Sequence, residues 1–304
     1  MASIHQERLN NPNMPMEENL IRHFIVNSVR SNYAKFKSNY GNMVICADSR
    51  SWRKDYFELY KITRSLNKDK TKDDPDSLDW EIVYKVINET FEMLDKFSPF
   101  KCIKAPGAEA DDIIGWACNK YGKTFSDDND IYAGFGSSSE SEEILIISGD
   151  KDFQQLQVYK NVTQYSPTLK KYLKCQNPKE FLIEHIAKGD VGDSVPNILS
   201  SDRTFIDKIR QKPITTKFLD EFKSKFENPI EVNSKIQKDE FLKNFSRNKT
   251  LINLLECIPQ NIQYNIEIEY NKENEGSLEL LRQAFISYRM KNMLDVLADF
   301  KAFK

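Results

Sequence analysis

Eight carboxylates lie where short structural elements are expected to end: Asp48, Glu109, Asp111, Asp112, Asp150, Asp152, Asp190 and Asp193. They fall in four groups: Asp48 alone, the run Glu109-Ala110-Asp111-Asp112, the pair in Gly149-Asp150-Lys151-Asp152, and the pair in Gly189-Asp190-Val191-Gly192-Asp193. Any one group reads as an acidic turn or a favourable charge at a helix N-terminus, where a carboxylate gains about 0.3–1 kcal/mol from the dipole. Together they do not, because carboxylates crowded into one cavity protonate unless cations neutralise them. No cysteine joins them. His185 is read as a lone surface or core histidine, since no second nitrogen or sulfur ligand stands at a suitable spacing. An all-oxygen set fits hard cations, Mg²⁺ with Mn²⁺ as substitute, rather than zinc. Two such ions about 3.5–4 Å apart can clamp the attacking and leaving oxygens of a phosphoryl displacement.

The elements that must position these acids follow from the patterning. Residues 144–148 (ILIIS) form a short apolar, β-branched run, as a strand buried in a parallel sheet does, and Gly149 allows a sharp exit into Asp150. Residues 42–47 (NMVICA) make a second strand, ending at Asp48, and 100–104 (FKCIK) a third. Carboxylates just past the carboxyl ends of parallel strands occupy the usual site of open α/β sheets. Apolar spacing predicts helices over 18–36, 79–97 with Asp79 as cap, and 178–188 with proline in the first turn. Residues 153–159 start a helix or turn, and 161–166 with 171–174 form a small hairpin. Residues 125–143 are an acidic, serine-rich insert, and 67–78 a charged loop. From 201 onward the chain reads as mostly helical, with an alternating block at 262–270 that suits an edge strand and a last helix over 279–300.

The net charge of −2 over 304 residues hides segregation. Residues 105–152 carry eleven acids against three bases, whereas 50–72 carry eight bases against three acids. An acidic centre between basic flanks suits cations held in the middle and polyanions around them. The segment 49–66 interleaves Arg50, Arg53, Lys54, Lys61 and Arg64 with Trp52, Tyr56, Phe57 and Tyr60. That mixture suits single-stranded nucleic acid, with cations for phosphates and rings for bases. It equally suits an amphipathic helix whose core face is Trp52, Tyr56, Leu59 and Tyr60. The five cysteines form no CxxC pair, which points away from a disulfide framework or zinc site and towards a reducing compartment. Apolar runs fall far short of the roughly 18 residues of a membrane span, and the polar N-terminus lacks the apolar segment of a secretory signal.

Asp48, the WRKDY…YKxxR segment, EADD, SGDKDF and KGDxxD, in that order and spacing, resemble the 5′-nuclease (flap endonuclease) family, especially its ribonuclease H members from T-even phages. The resemblance runs over about 18–263. It implies an α/β fold with a mostly parallel central sheet flanked by helices, of the PIN/5′-nuclease type, over residues 1–175, with an arch or loop at about 50–78. A mainly helical DNA-binding domain would occupy 176–304. By resemblance, Asp48, Asp111 and Asp150 would serve one metal ion. Asp112, Asp152, Asp190 and Asp193 would hold a second, largely through water, with Glu109 in support. Lys61 and Arg64 would meet the scissile phosphate, and Arg53, Lys54, Tyr60 and Lys188 would line the nucleic acid.

The implied activity is metal-dependent 5′→3′ hydrolysis of DNA and RNA–DNA hybrids with single-stranded 5′ ends, removing primers in phage replication. A monomer in the cytoplasm of the infected host is implied, with the phage sliding clamp and single-stranded DNA-binding protein as candidate partners and no membrane. The aromatic tail resembles a clamp-binding peptide, but reads more readily as a last amphipathic helix packed on its own domain. Two departures accompany the resemblance. The family's initial apolar strand, ending in aspartate, has no counterpart, which makes a forked-DNA-binding protein of impaired catalysis the alternative expectation. The glycines of the family's helix-hairpin signature are also absent after Asp193, where the sequence runs SVPNILSSDRTF.

Overall fold

The computed structural model describes residues 17–71, 79–123 and 143–303, with the side chains of 67–71 outside the description. The insert expected at 125–143 and the loop segment 72–78 therefore lie almost wholly outside the described residues. The fold is mixed α/β with a helical C-terminal region, as expected. Its elements in order are α1 (Glu18–Tyr40), β1 (Val44–Cys46), α2 (Arg53–Tyr56), α3 (Ile62–Thr71), α4 (Trp80–Phe97), β2 (Lys101–Ile103), α5 (Ala110–Tyr121) and β3 (Ile144–Ile147). A 3₁₀ segment (Lys151–Val158) leads to β4 (Val162–Ser166), β5 (Lys171–Leu173) and α6 (Pro178–Lys188). The C-terminal helices are α7 (Thr216–Ser224), α8 (Lys238–Ile252), α9 (Gln260–Asn271), α10 (Leu278–Ser287) and α11 (Lys291–Asp295).

Among the described residues the strands form two sheets. β1 pairs with β2 in parallel, and β3 pairs in parallel with β4, which carries β5 antiparallel. The carboxyl ends of β1 and β3 both deliver an aspartate towards α5, as shown below. Several apolar clusters fix this arrangement. Ile103, Ile113 and Trp116 pack with Trp52 against Ile262 and Ile266 of α9. Ile146, Phe153 and Val162 pack with Cys118 and Leu254. Phe57 and Tyr60 enter a third cluster with α6, α7 and α8. A fourth joins α1 and α4 to α10 and the chain end.

Three elements differ from the sequence reading. The block 262–270 is helix, not strand. Ile262 and Ile266 are buried while Tyr264 and Ile268 are 64% and 44% exposed. A period of two contains a period of four, so the alternation also described one helical face. The final helix is interrupted, because Arg289 takes a positive φ of 55° between α10 and α11. α3 continues through Thr71, so the expected loop is helical over 67–71. The tail packs on its own chain: Phe300 is fully buried against Phe100 and Phe285, and Asp299 pairs with Arg30 at 2.6 Å.

Candidate metal centre

Four turns bring the acids together. Asp48 follows β1, and its Oδ1 accepts the Ala110 N–H at 2.8 Å, at the first residue of α5. Asp150 follows β3 and caps the 3₁₀ segment by accepting the Asp152 N–H at 3.0 Å. The buried amide of Gln164 on β4 fixes that exit, donating to the carbonyls of Ser148 at 3.0 Å and Asp150 at 2.6 Å. Asp111 lies in the first turn of α5. Its carboxyl is pushed up to about 7, first by burial and next by the charge of Asp150, with Glu109 and Asp48 adding to it against Lys61. Asp48, Asp111 and Asp150 thus share one electrostatic field.

The fourth turn begins at Gly189, which ends α6 at φ 69° and ψ −173°, a region open essentially to glycine alone. A Cβ there would lie 2.4 Å from the Val195 carbonyl oxygen and 2.6 Å from that of Pro196. Gly189→Ala is therefore expected to destabilise the fold by about 2–4 kcal/mol, read as a lower urea midpoint at unchanged m value. Beyond Gly189 the backbones of Asp190 and Val195 bond to each other in both directions, and Asp190 Oδ1 accepts from Gly192 N at 2.7 Å. Asp190 Oδ2 faces His185 Nε2 at 3.2 Å and Lys151 Nζ at 3.2 Å. Burial works against ionising Asp190, yet His185 and Lys151 hold it well below the usual carboxylate range.

Asp152 sits on the other side of the imidazole, its Oδ1 3.5 Å from His185 Nδ1. Burial, opposed by His185 and reinforced by Asp150 and Asp190, raises the Asp152 carboxyl to about 6. Asp152 Oδ1 and His185 Nδ1 are buried and without a hydrogen-bond partner. Asp152, His185 and Asp190 together offer three donor atoms within 4.8 Å of one another. These orphaned buried atoms, with the mutual repulsion around Asp111, fit a centre that binds divalent cations.

Other expected site residues hold the frame. Arg53 is buried, not turned to solvent. Its guanidinium takes Asp112 bidentately at 2.7 and 2.9 Å, Glu109 at 3.1 Å and the Leu251 carbonyl at 2.9 Å. A side chain 3% exposed cannot line a nucleic acid, so that expectation is corrected. Asp112 spends its carboxylate on Arg53, Trp52 Nε1 and the Glu109 N–H, which leaves it as an anchor of α5 rather than a cation ligand. Tyr60 is also buried. Its hydroxyl lies 3.0 Å from Glu109 and 2.8 Å from Asp193, with one proton to donate to either carboxylate, so its ring is no platform for a base. Glu109 further accepts from Ser51 at 2.8 Å and from Lys61. Although burial opposes it, Lys61 and Arg53 keep Glu109 low.

Lys61 and Arg64 do lie beside the acids. Lys61 adopts a positive φ of 58°, donates its N–H to the Asp193 carbonyl at 2.8 Å, and places its ammonium on Glu109 and 3.7 Å from Asp193. Arg64, 57% exposed, pairs with Asp193. Lys54 is exposed beside Tyr56, and Lys188 is exposed and paired with Glu184. Within the segment 49–66, Trp52, Phe57 and Tyr60 lie in the core and Lys54, Tyr56 and Arg64 lie outside. His185 escaped the sequence reading because its partners come from separate turns; the one local signal was its place a few residues before Asp190 on the helix that ends there.

Known proteins are similar to this chain in sequence and in fold. Residues 6–185 match the family described as 5'-3' exonuclease, N-terminal resolvase-like domain. The ribonuclease H of Enterobacteria phage T4 is 29% identical over 261 residues, covering 83% of this chain and 77% of that protein. A 5'-3' exonuclease of Buchnera aphidicola subsp. Acyrthosiphon pisum (strain APS) is 27% identical over 176 residues, 55% of this chain and 51% of that one. In fold, the chain resembles the T5 5'-exonuclease with bound zinc, at TM-score 0.56 and 16% identity over 91% of this chain and 95% of that one. It also resembles the bacteriophage T5 flap endonuclease complexed with DNA and metal ions, at TM-score 0.54 and 17% identity, covering 84% and 91%. The family match takes in more than half of the chain, including the strand ends and α5 that gather the carboxylates, and the chain belongs to the 5'-3' exonuclease family of phosphodiester-cleaving nucleases.

Proposed function

We propose that this chain is a metal-dependent 5′→3′ nuclease of the ribonuclease H and flap endonuclease type. Its substrates are DNA and RNA–DNA hybrids with single-stranded 5′ ends, and its role is primer removal during phage replication in the host cytoplasm. The observation that carries the reading is the convergence of Asp48 and Asp150 on Asp111, whose raised carboxyl marks negative charge gathered for a cation. Bound Mg²⁺, or Mn²⁺ in its place, would neutralise these acids, polarise the phosphate and lower the pKa of an attacking water. Asp48, Asp111 and Asp150 would hold one ion, and Asp152 would hold the second, with Asp190 and Asp193 reaching it largely through water.

The protein's own part is positioning. Lys61 and Arg64 are held over the acids by Glu109 and Asp193, and a substrate phosphate would draw their donors to the oxygens where charge grows. Lys54, Tyr56 and Arg64 form the exposed face that meets the strand. Clamp contact through the tail would have to use Phe303, because Phe300 is inside the core. We take the acting form as a monomer.

A duplex with a 5′ flap, labelled at either end in parallel reactions, tests the polarity. Short products from the 5′ end are expected, and products only from the 3′ end would contradict the reading. Lys61→Ala is expected to lower kcat by about 10²–10³ with little change in DNA affinity. An unchanged kcat in single-turnover assays would remove Lys61 from the chemistry.

A pH effect follows from Asp111. In the folded, metal-free protein its carboxyl sits at about 7, against about 4 in an unfolded chain. The native state therefore keeps a proton that the unfolded state has lost, and stability falls as pH rises through that window. In EDTA, Asp111→Asn should match the wild type near pH 4 and melt higher at pH 7, and excess Mg²⁺ should close the gap. Melting curves that stay parallel from pH 4 to 7 would contradict this.

A further inference from the structure

The geometry points to His185 as a nitrogen ligand of the second cation position, beside Asp152 and with Asp190 orienting the ring, so that this position takes a first-row transition ion in preference to Mg²⁺. The inference rests on the metal-centre reading above and goes beyond its all-oxygen donor set.

The hydrogen bonding assigns the nitrogens. Asp190 Oδ2 is acceptor-only and lies 3.2 Å from Nε2, so Nε2 carries the proton and donates. In the neutral imidazole, the form that can ligate a metal, Nδ1 is then a lone pair. It is buried, unpartnered, and 3.5 Å from Asp152 Oδ1, which is buried and unpartnered too. Two acceptors facing each other need a cation between them. A carboxylate holding the far nitrogen of a ligating imidazole is how histidine ligands are commonly fixed.

The donor types also select the ion. Mg²⁺ demands near-octahedral oxygen ligands at about 2.0–2.1 Å and seldom takes imidazole. His185 is 6% exposed, its ring packed by Phe181 at 5.7 Å between centroids, so the ligand is preset rather than recruited from solvent. Lys151, 55% exposed, also pairs with Asp190 and neutralises the carboxylate that orients the ring.

Pulsed EPR of the full chain loaded with Mn²⁺ tests this without substrate. The wild type is expected to show nitrogen coupling to the metal, and growth on ¹⁵N-histidine is expected to change the coupling pattern. His185→Gln is expected to lose the coupling and to lower the ratio of Mn²⁺ to Mg²⁺ affinity at least tenfold in competition titrations. Absence of nitrogen coupling in the Mn²⁺-loaded wild type overturns the inference, as does coupling indifferent to the histidine label. An affinity ratio unchanged in folded His185→Gln overturns it as well. Should that variant not fold, the labelled wild type decides alone. A protein that shows the coupling but cleaves nothing would refute the nuclease reading and leave this one standing; cleavage without coupling would do the reverse.

Discussion

Asp150→Asn is expected to lower metal-dependent cleavage by at least about 10³-fold while DNA affinity stays within a few-fold. The magnitude is that of removing several kcal/mol of charge stabilisation at the reacting phosphate. The variant should fold, because the side chain is exposed and its structural task is to cap the turn after β3 by accepting the Asp152 N–H at 3.0 Å. Asparagine caps such turns as well as aspartate does. What is lost is the charge that, with Asp48, presses on Asp111. Binding should persist because the exposed Lys54, Tyr56 and Arg64 are untouched. Single-turnover cleavage alongside a fluorescence binding titration separates the two effects. Cleavage within tenfold of the wild type would take Asp150 out of the metal centre.

Arg53→Met is expected to cost about 3–5 kcal/mol of stability, the usual consequence of stripping one partner from a buried ion pair. The loss falls on Asp112, which keeps only Trp52 Nε1 and the Glu109 N–H. Glu109 keeps Ser51, Tyr60 and Lys61. Arg53→Lys keeps the charge but not the fork that takes Asp112 and Glu109 together, and should fall between. Urea unfolding at constant m value gives the difference. A loss below 1 kcal/mol for the methionine variant would mean that the ion cluster does not hold the start of α5.

These variants mark what the sequence could and could not reveal. Asp48 and Asp150 were legible because each ends an apolar, β-branched run, and a strand's end fixes where its next side chain goes. The helix behind Asp79 was legible because its cap and its apolar spacing agree, and Asp79 does accept the Glu81 and Ile82 N–H groups. Arg53 was not legible as a core residue. Among alternating bases and rings nothing local separates it from Lys54, and only the placement of Asp112 beneath it, set by α5, draws it inward. His185 was hidden for the same reason, since Asp152 approaches it from a different turn. The helix at Gln260–Asn271 shows the reverse case. There the local pattern was real but fitted two periodicities, and packing of Ile262 and Ile266 against Trp116 and Ile113 chose between them.

The central claim is that carboxylates gathered at these turns hold the divalent cations that cut nucleic acid from its 5′ end. Cleavage of a 5′-labelled flapped duplex by the full chain, with Mg²⁺, with EDTA, and with Mg²⁺ restored after EDTA, tests it most directly. The account predicts 5′-end products with Mg²⁺, none in EDTA, and recovery when Mg²⁺ returns. Cleavage undiminished in EDTA would contradict it.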